Sequence, residues 1–104
     1  MFNIFRNTTA GSVVKFYATR DGTSTRDYQF EFRQLSDGTW RAYIVRLPSY
    51  LGRDEGAHAT HRLSDSHGRY VCWDRPLHSL DEAKGVAAAW AEATQRYRRT
   101  GERF

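Results

Sequence analysis

Apolar and polar side chains alternate along residues 13–47, a pattern that predicts three consecutive β-strands. The predicted strands cover residues 13–20, 27–35 and 40–47. The third strand is expected to end at Pro48, because proline has no amide hydrogen to offer to a neighbouring strand.

Turns containing glycine separate these three strands. Asp21-Gly22 begins a loop that is expected to continue to Arg26. Asp37-Gly38 predicts a tight hairpin, because glycine tolerates the positive φ that such turns require.

The middle of the chain predicts two shorter strands. A charged loop at residues 49–57 is followed by expected strands at 58–63 and 69–73, joined by a turn at 64–68. Pro76 is expected to end the sheet region.

Residues 79–100 predict a C-terminal helix. Ser79 can cap its first turn, and Glu82 three residues later completes a capping box. The residues expected to face the sheet recur at helical spacing and are Ala83, Val86, Ala87, Trp90, Thr94 and Tyr97. The opposite side is expected to carry Lys84, Ala88, Glu92, Gln95 and Arg99.

These elements predict the α+β class, as a twisted antiparallel sheet of four to five strands with one C-terminal helix packed on one face. At 104 residues, the chain is expected to form a single domain over 1–104. Its parts are expected to be an N-terminal arm at 1–11, the antiparallel sheet at 13–73 and the helix at 79–100.

One helix covers only one face of such a sheet, so the other face is expected to be open. The apolar side is expected to take the helix and carries Tyr28, Phe30, Phe32, Trp40 and Ile44. The open side is expected to carry Lys15, Tyr17, Gln29, Glu31, Arg33, Arg41 and Tyr43.

Arginine dominates the basic residues. Of the 16 lysines and arginines only Lys15 and Lys84 are lysine, and the formal net charge is +4. A guanidinium grips phosphate or carboxylate with several hydrogen bonds and stacks on aromatic rings. Such a surface suits nucleic acid or the acidic face of a protein. A source genome rich in G and C would produce the same enrichment without any function.

The candidate contact residues for nucleic acid or a partner protein lie in three places. They are Lys15, Tyr17, Arg33, Arg41 and Tyr43 on the open side, Arg53 in the loop, and Arg96, Arg98 and Arg99 at the helix end. The alternative for the sheet residues is ordinary cross-strand charge pairing. For the helix end, the alternative is compensation of the helix dipole.

The order of a strand, an Asp-Gly turn, a strand beginning with tryptophan and a capped alanine-rich helix is similar to a known arrangement. It resembles the three-stranded sheet plus helix of plant-type AP2 domains and of the arm-binding domains of phage integrases. The resemblance covers residues 28–47 and 79–100, includes the short motif at 38–42, and leaves 48–76 without a counterpart. It implies a nucleic-acid-binding sheet.

Histidine and cysteine do not form a recognisable motif. His58 and His61 would point to opposite faces of a strand, so surface histidines rather than a metal site are expected. Cys72 is expected to be a buried, inert thiol. The three tryptophans, Trp40, Trp73 and Trp90, are expected to be core anchors.

A small ribonuclease is the enzymatic alternative. It could combine acid-base histidines with arginines that stabilise a charged transition state. The residues of suitable type are His61, Arg62, His67, Arg69 and Tyr70, and their spacing does not establish that they converge.

The sequence therefore predicts a small, basic, non-catalytic binding protein that contacts nucleic acid or a nucleoprotein complex through its open sheet face. The alternative is an inhibitor or adaptor of the type that phages and plasmids encode, anti-CRISPR proteins included, bound to a host protein. No cofactor is expected, and a homodimer through the open face is a further option.

The single cysteine and the absence of both a signal peptide and an apolar run of about 20 residues predict a cytoplasmic protein without a membrane span.

Overall fold

The computed structural model describes residues 12–21 and 26–104. The predicted arm at 1–11 and the Gly22 turn lie outside the described residues. The elements in chain order are β1 (Ser12–Tyr17), β2 (Tyr28–Gln34), β3 (Trp40–Arg46), α1 (Ala57–Thr60), β4 (Arg62–Ser64), β5 (Arg69–Val71) and α2 (Leu80–Thr100).

The five strands form one antiparallel sheet in the order β1-β2-β3-β5-β4. The sheet does not close on itself, and α2 packs against β2, β3 and β5 on one side. The predicted α+β arrangement of an antiparallel sheet and one C-terminal helix is confirmed. The short helix α1 was not expected.

The hairpin between β2 and β3 follows the predicted Asp-Gly turn. The amide of Gly38 donates to the Leu35 carbonyl at 2.9 Å, and the amide of Leu35 donates to the Thr39 carbonyl at 2.7 Å. Gly38 has φ +89°, the left-handed conformation that glycine adopts without a steric penalty.

The predicted strand at 58–63 is wrong over its first half. Residues 57–60 form α1, and only Arg62–Ser64 forms a strand. The amide and the hydroxyl of Thr60 both donate to the Gly56 carbonyl, at 3.0 and 2.8 Å. This local turn satisfies backbone groups that a strand would have offered to a neighbour.

Helix α2 begins and ends where local sequence signals place it. The Ser79 hydroxyl accepts the Glu82 amide at 3.0 Å, and Gly101 ends the helix at φ +75°. The Glu82 carboxylate accepts the amide of His78 at 2.8 Å. The predicted cap is therefore confirmed, with its second hydrogen bond made one residue before the cap.

Trp90 lies at the centre of the core between α2 and the sheet. The predicted inward face of α2 is confirmed, since Ala83, Val86, Ala87, Trp90, Thr94 and Tyr97 are all buried. The Trp90 ring meets Tyr28 and Phe30 edge-on, with centroids 6.3 and 5.9 Å away.

Gln95 was expected to face outward and is buried instead. Its side-chain oxygen accepts the Tyr28 hydroxyl at 2.9 Å. The side chain of Gln95 thus provides a hydrogen-bond acceptor for the buried Tyr28 hydroxyl. A Gln95 side chain that faced solvent could not do this.

Two expectations near the end of the sheet are also wrong. Trp73 is 43% exposed, and Cys72 is half-buried, because β5 ends at Val71. Trp40 is half-buried.

Within the described ranges, no helix combines the length and the apolar character needed to cross a bilayer.

Candidate functional site: the open sheet face

The strand register defines the sheet face that α2 does not cover. Residues directly opposite each other on adjacent antiparallel strands point to the same side of a sheet. On this criterion the open face carries Val14, Phe16, Gln29, Glu31, Arg33, Arg41, Tyr43, Leu63 and Tyr70. Arg33 and Arg41 are direct cross-strand neighbours there, as predicted.

Two predicted open-face residues lie on the helix side. Lys15 is opposite Phe30. The Tyr17 hydroxyl donates to Glu92 of α2 at 2.6 Å. The prediction was wrong because both sides of β1 carry apolar residues, with Val13 on the side of Lys15 and Val14 on the other. Alternation alone could not decide which phase faces the helix.

Glu31 is the centre of the first polar cluster on the open face. One carboxylate oxygen accepts Ser12 Oγ at 2.8 Å and Arg33 Nη1 at 3.1 Å, and the other lies 2.8 Å from His67 Nε2. The His67 hydrogen bond is the main cause that lowers the pKa of Glu31, and it outweighs the opposing effect of burial.

Asp65 organises a second cluster from the β4–β5 turn. One oxygen accepts Arg41 Nη1 at 2.5 Å and the Tyr43 hydroxyl at 2.6 Å, and the other accepts the amides of His67 and Gly68. Burial alone would raise the pKa of Asp65. The four donors reverse that effect and lower the pKa to about 2. Asp65 is therefore a fixed negative charge at neutral pH.

Aromatic rings connect the two clusters. The Arg41 guanidinium lies 4.2 Å from the centre of the Tyr70 ring. Tyr43 meets Tyr70 edge-on at 5.8 Å and His67 at 4.6 Å. These contacts leave Tyr43 only 4% exposed. Its side chain therefore packs beneath the neighbouring side chains and has little surface with which to contact a partner.

Exposed apolar side chains lie at both edges of the open face. Val14 and Phe16 on β1 are 52% and 42% exposed, and Leu63 on β4 is 47% exposed. The paired charges on β2 and β3 lie between them. The face therefore alternates apolar, charged and apolar regions across its width.

The remaining predicted contact residues stabilise the end of α2. Arg53 Nε and Nη2 donate to the carbonyls of Arg98 and Arg99, both at 3.2 Å. Arg98 Nε donates to the Ser49 carbonyl. Carbonyls at a helix C-terminus lack helical partners, so the two Arg53 bonds satisfy groups that would otherwise need water, and the Arg98 bond ties the helix end to the loop after β3.

The other arginines of the helix end form ion pairs within the chain. Arg96 pairs with Glu102 at 2.6 Å and Arg99 with Asp21 at 3.0 Å. The structure does not bring these arginines onto the open face.

The five residues of suitable type for a ribonuclease are divided between the two sides of the sheet. The Tyr70 and His67 rings both contact the ring of Tyr43 on the open face, whereas Arg62 and Arg69 are on the opposite side by register. The His61 ring stacks near Phe104. The structure therefore does not assemble them into one site.

Among residues 12–21 and 26–104, no cluster of three or more histidine, cysteine, aspartate or glutamate side chains could hold a metal ion.

Sequence reasoning missed Asp65, His67 and Tyr70 as parts of the open-face network. The turn at 64–68 was expected, but its position above β2 and β3 depends on β5 pairing with β3. The pair of Asp65 and Gly68, which closes the turn with a 3.0 Å backbone bond, was the one local signal available.

Comparison with known proteins found no match: no family model fits the chain, and no curated protein or solved structure is significantly similar. The resemblance to AP2 and integrase arm-binding domains thus rests on the order of elements and on the short motif at 38–42. The five-stranded sheet exceeds the three strands of that arrangement.

Proposed function

We propose that this chain is a small, non-catalytic binding protein whose open face docks on another protein. The observation that carries the proposal is that the two central arginines are already paired on that face. Arg33 pairs with Glu31 at 3.1 Å and Arg41 with Asp65 at 2.5 Å. A phosphate would have to compete with these carboxylates and would also be repelled by them.

A protein surface meets neither difficulty, since it can offer donors to the carboxylates as well as acceptors to the guanidinium groups. Protein interfaces are enriched in arginine, tyrosine and phenylalanine, and a few well-packed side chains supply most of the affinity. Leu63, directly opposite Tyr70, and Phe16, at the other edge of the sheet, are suitable apolar anchors on either side of the paired arginines. An inhibitor or adaptor of a host protein is the corresponding functional class.

Site-specific photo-crosslinking in cells of the natural host tests this proposal. A photoreactive phenylalanine analogue at Phe16 should yield a defined protein adduct, and Arg41→Glu should reduce its yield by opposing Asp65 and removing the stack. Leu51 supplies the matched control position, because it is 60% exposed and lies in the loop after β3.

Equal adducts from Phe16 and Leu51, or none from Phe16, would contradict the proposal. An adduct of twice the chain's mass would identify a second copy of the same protein as the partner.

Nucleic acid is the second candidate, and the Arg41–Tyr70 stack is the observation that favours it. A guanidinium over an aromatic ring is a platform on which bases can stack, especially in single strands. Binding to single-stranded DNA or RNA should then weaken steeply with salt, with a slope of roughly −0.7 per phosphate contacted. Detectable binding at low salt that is lost in Arg41→Gln would favour this candidate over a protein partner.

A further inference from the structure

The buried guanidinium of Arg62 lacks a counter-charge. Arg62 is 5% exposed, and its Nε and Nη2 donate to Thr60 Oγ1 and the Glu55 carbonyl, both at 2.9 Å. Both acceptors are neutral. Across residues 12–21 and 26–104, no carboxylate lies within ion-pair distance of it. The centre of the Tyr50 ring lies 5.1 Å from the guanidinium carbon and offsets part of the cost of burying this cation, but no anion of the described residues does, so the site favours one.

The register of the β4–β5 hairpin brings two more suitable side chains to the same side. Arg62 is opposite Val71, and Ser64 is opposite Arg69. Arg62, Ser64 and Arg69 therefore share the side of the hairpin away from the open face. Direct cross-strand neighbours are about 5 Å apart at Cβ and diagonal ones about 7–8 Å, within reach of arginine side chains.

These three residues line one cleft of about 340 Å³, whose remaining lining residues are Glu55, Ala57 and Leu63. The side chain of Arg69 is exposed and has no ion pair or hydrogen bond within the described part of the chain.

We propose that this cleft binds a phosphate group, either free or as a phosphomonoester. Arg69 can offer its forked donors to the oxygens of a tetrahedral anion, Arg62 retains Nη1 after its two internal hydrogen bonds, and the Ser64 hydroxyl adds a further donor. A dianion also supplies the charge that buried Arg62 lacks. Glu55 lines the same cleft, and the negative charge of its side chain is expected to limit the affinity by repelling the ligand.

Inorganic phosphate is the first probe, with thermal unfolding as the measurement. A ligand that binds only the folded state raises the melting temperature with its concentration. Phosphate should therefore stabilise the protein saturably relative to sodium chloride of equal ionic strength. Equal melting temperatures in the two salts would overturn the proposal.

Arg69→Gln is the decisive variant, since Arg69 is exposed and its loss leaves no buried group unpaired. It should weaken phosphate binding about tenfold, the magnitude expected for charge-assisted hydrogen bonds. Arg46→Gln is the matched control, because Arg46 is also exposed and unpaired but lies on β3 outside the cleft. Equal weakening in the two variants would show a general effect of net charge and would refute the site.

Glu55→Gln provides a test in the opposite direction. Removal of the repelling carboxylate should tighten phosphate binding roughly threefold, a typical effect of one partly solvated charge. An unchanged or weaker affinity would contradict the assignment of Glu55 to the cleft. Tighter phosphate binding by this variant could not result from partial unfolding, because unfolding would only weaken binding.

The source of the phosphate group is distinguished by competition. Glycerol phosphate and a single-stranded oligonucleotide with and without a 5′-phosphate are the probes. Preference for glycerol phosphate would identify a small phosphomonoester, and preference for the 5′-phosphorylated oligonucleotide would identify a nucleic-acid end. The three proposed donor residues of the cleft point away from the open face, and Leu63 on the edge strand β4 is the residue that the cleft and the open face share.

Discussion

Asp65 shows how a single turn residue can organise a surface. Its two oxygens accept donors from Arg41 and Tyr43 of β3 and from two amides of its own turn. The turn is thereby held above the sheet, where His67 also reaches Glu31. The carboxylate stabilises the fold only while it is ionised.

The pH dependence of stability should reveal this role in Asp65→Asn. The pKa of Asp65 is lowered from 3.8 to about 2 in the folded protein, so its stabilising contribution is complete above pH 3.8 and is lost as the pH falls toward 2. The variant should be less stable than the wild type at neutral pH. The difference, measured by denaturant unfolding at a series of pH values, should shrink over that acidic interval.

Asp74→Asn is a suitable control, because Asp74 is an exposed carboxyl group outside the network. A stability difference between Asp65→Asn and wild type that is the same at every pH would show that the charge of Asp65 does not matter.

At the scale of elements, the packing of α2 on the sheet depends on Trp90. Its ring fills the space above β2, and its indole nitrogen donates to the Thr60 carbonyl at 2.9 Å, which joins α2 to α1. One side chain thus fixes the helix against both the sheet and the connection that precedes β4.

Replacement of Trp90 and of Trp73 should have very different effects. Trp90 is 2% exposed, so Trp90→Ala should cost about 3–5 kcal/mol of unfolding free energy through the cavity it leaves. Trp73 is 43% exposed, and Trp73→Ala should cost less than about 1 kcal/mol. Equilibrium denaturation of both variants checks this. Similar losses would mean that the exposed tryptophan contributes to the core.

At the scale of the whole molecule, the segment between β3 and β4 and the end of α2 form a second small core. Tyr50, Ala59 and Tyr97 are buried together, apart from the main cluster. The Tyr97 hydroxyl donates to the Asp54 carbonyl at 2.8 Å, and Arg53 caps the last helical carbonyls. These contacts suggest a unit that opens as one.

Hydrogen exchange should detect that unit. Tyr97→Ala should accelerate exchange of the amides at 49–56 and in the last turn of α2 together, because both lose the same packing. Amides in the β2–β3 pair should change far less. Tyr97→Phe is the matched control and should cost only about 1 kcal/mol, since it removes one hydrogen bond and keeps the ring. Uniform acceleration across the sheet would show that the molecule opens as a single unit.

Local sequence signals were sufficient for the elements whose stabilising contacts are close in sequence. The caps at Ser79 and Gly101 bound α2, and Gly38 makes the hairpin, because each acts on backbone groups within four residues. Helical spacing similarly predicted the buried side of α2. The strand predicted at 58–63 failed over its first half for a related reason. The local hydrogen bonds of the turn at 56–60 form there, and no neighbouring strand pairs with these residues.

Sequence alone is enough to place Arg33 and Arg41 on one side of the sheet, because period-2 alternation and the hairpin register fix their relative positions. The position of Lys15 on the other side follows only from the packing of α2, since alternation does not specify which side of a strand meets the helix. Tertiary structure also decided that Asp65 neutralises Arg41, a contact across 24 residues. The sequence therefore shows how many arginines the chain has. It does not show which of them are free to bind a partner, because that depends on which distant carboxylate the fold brings beside each arginine.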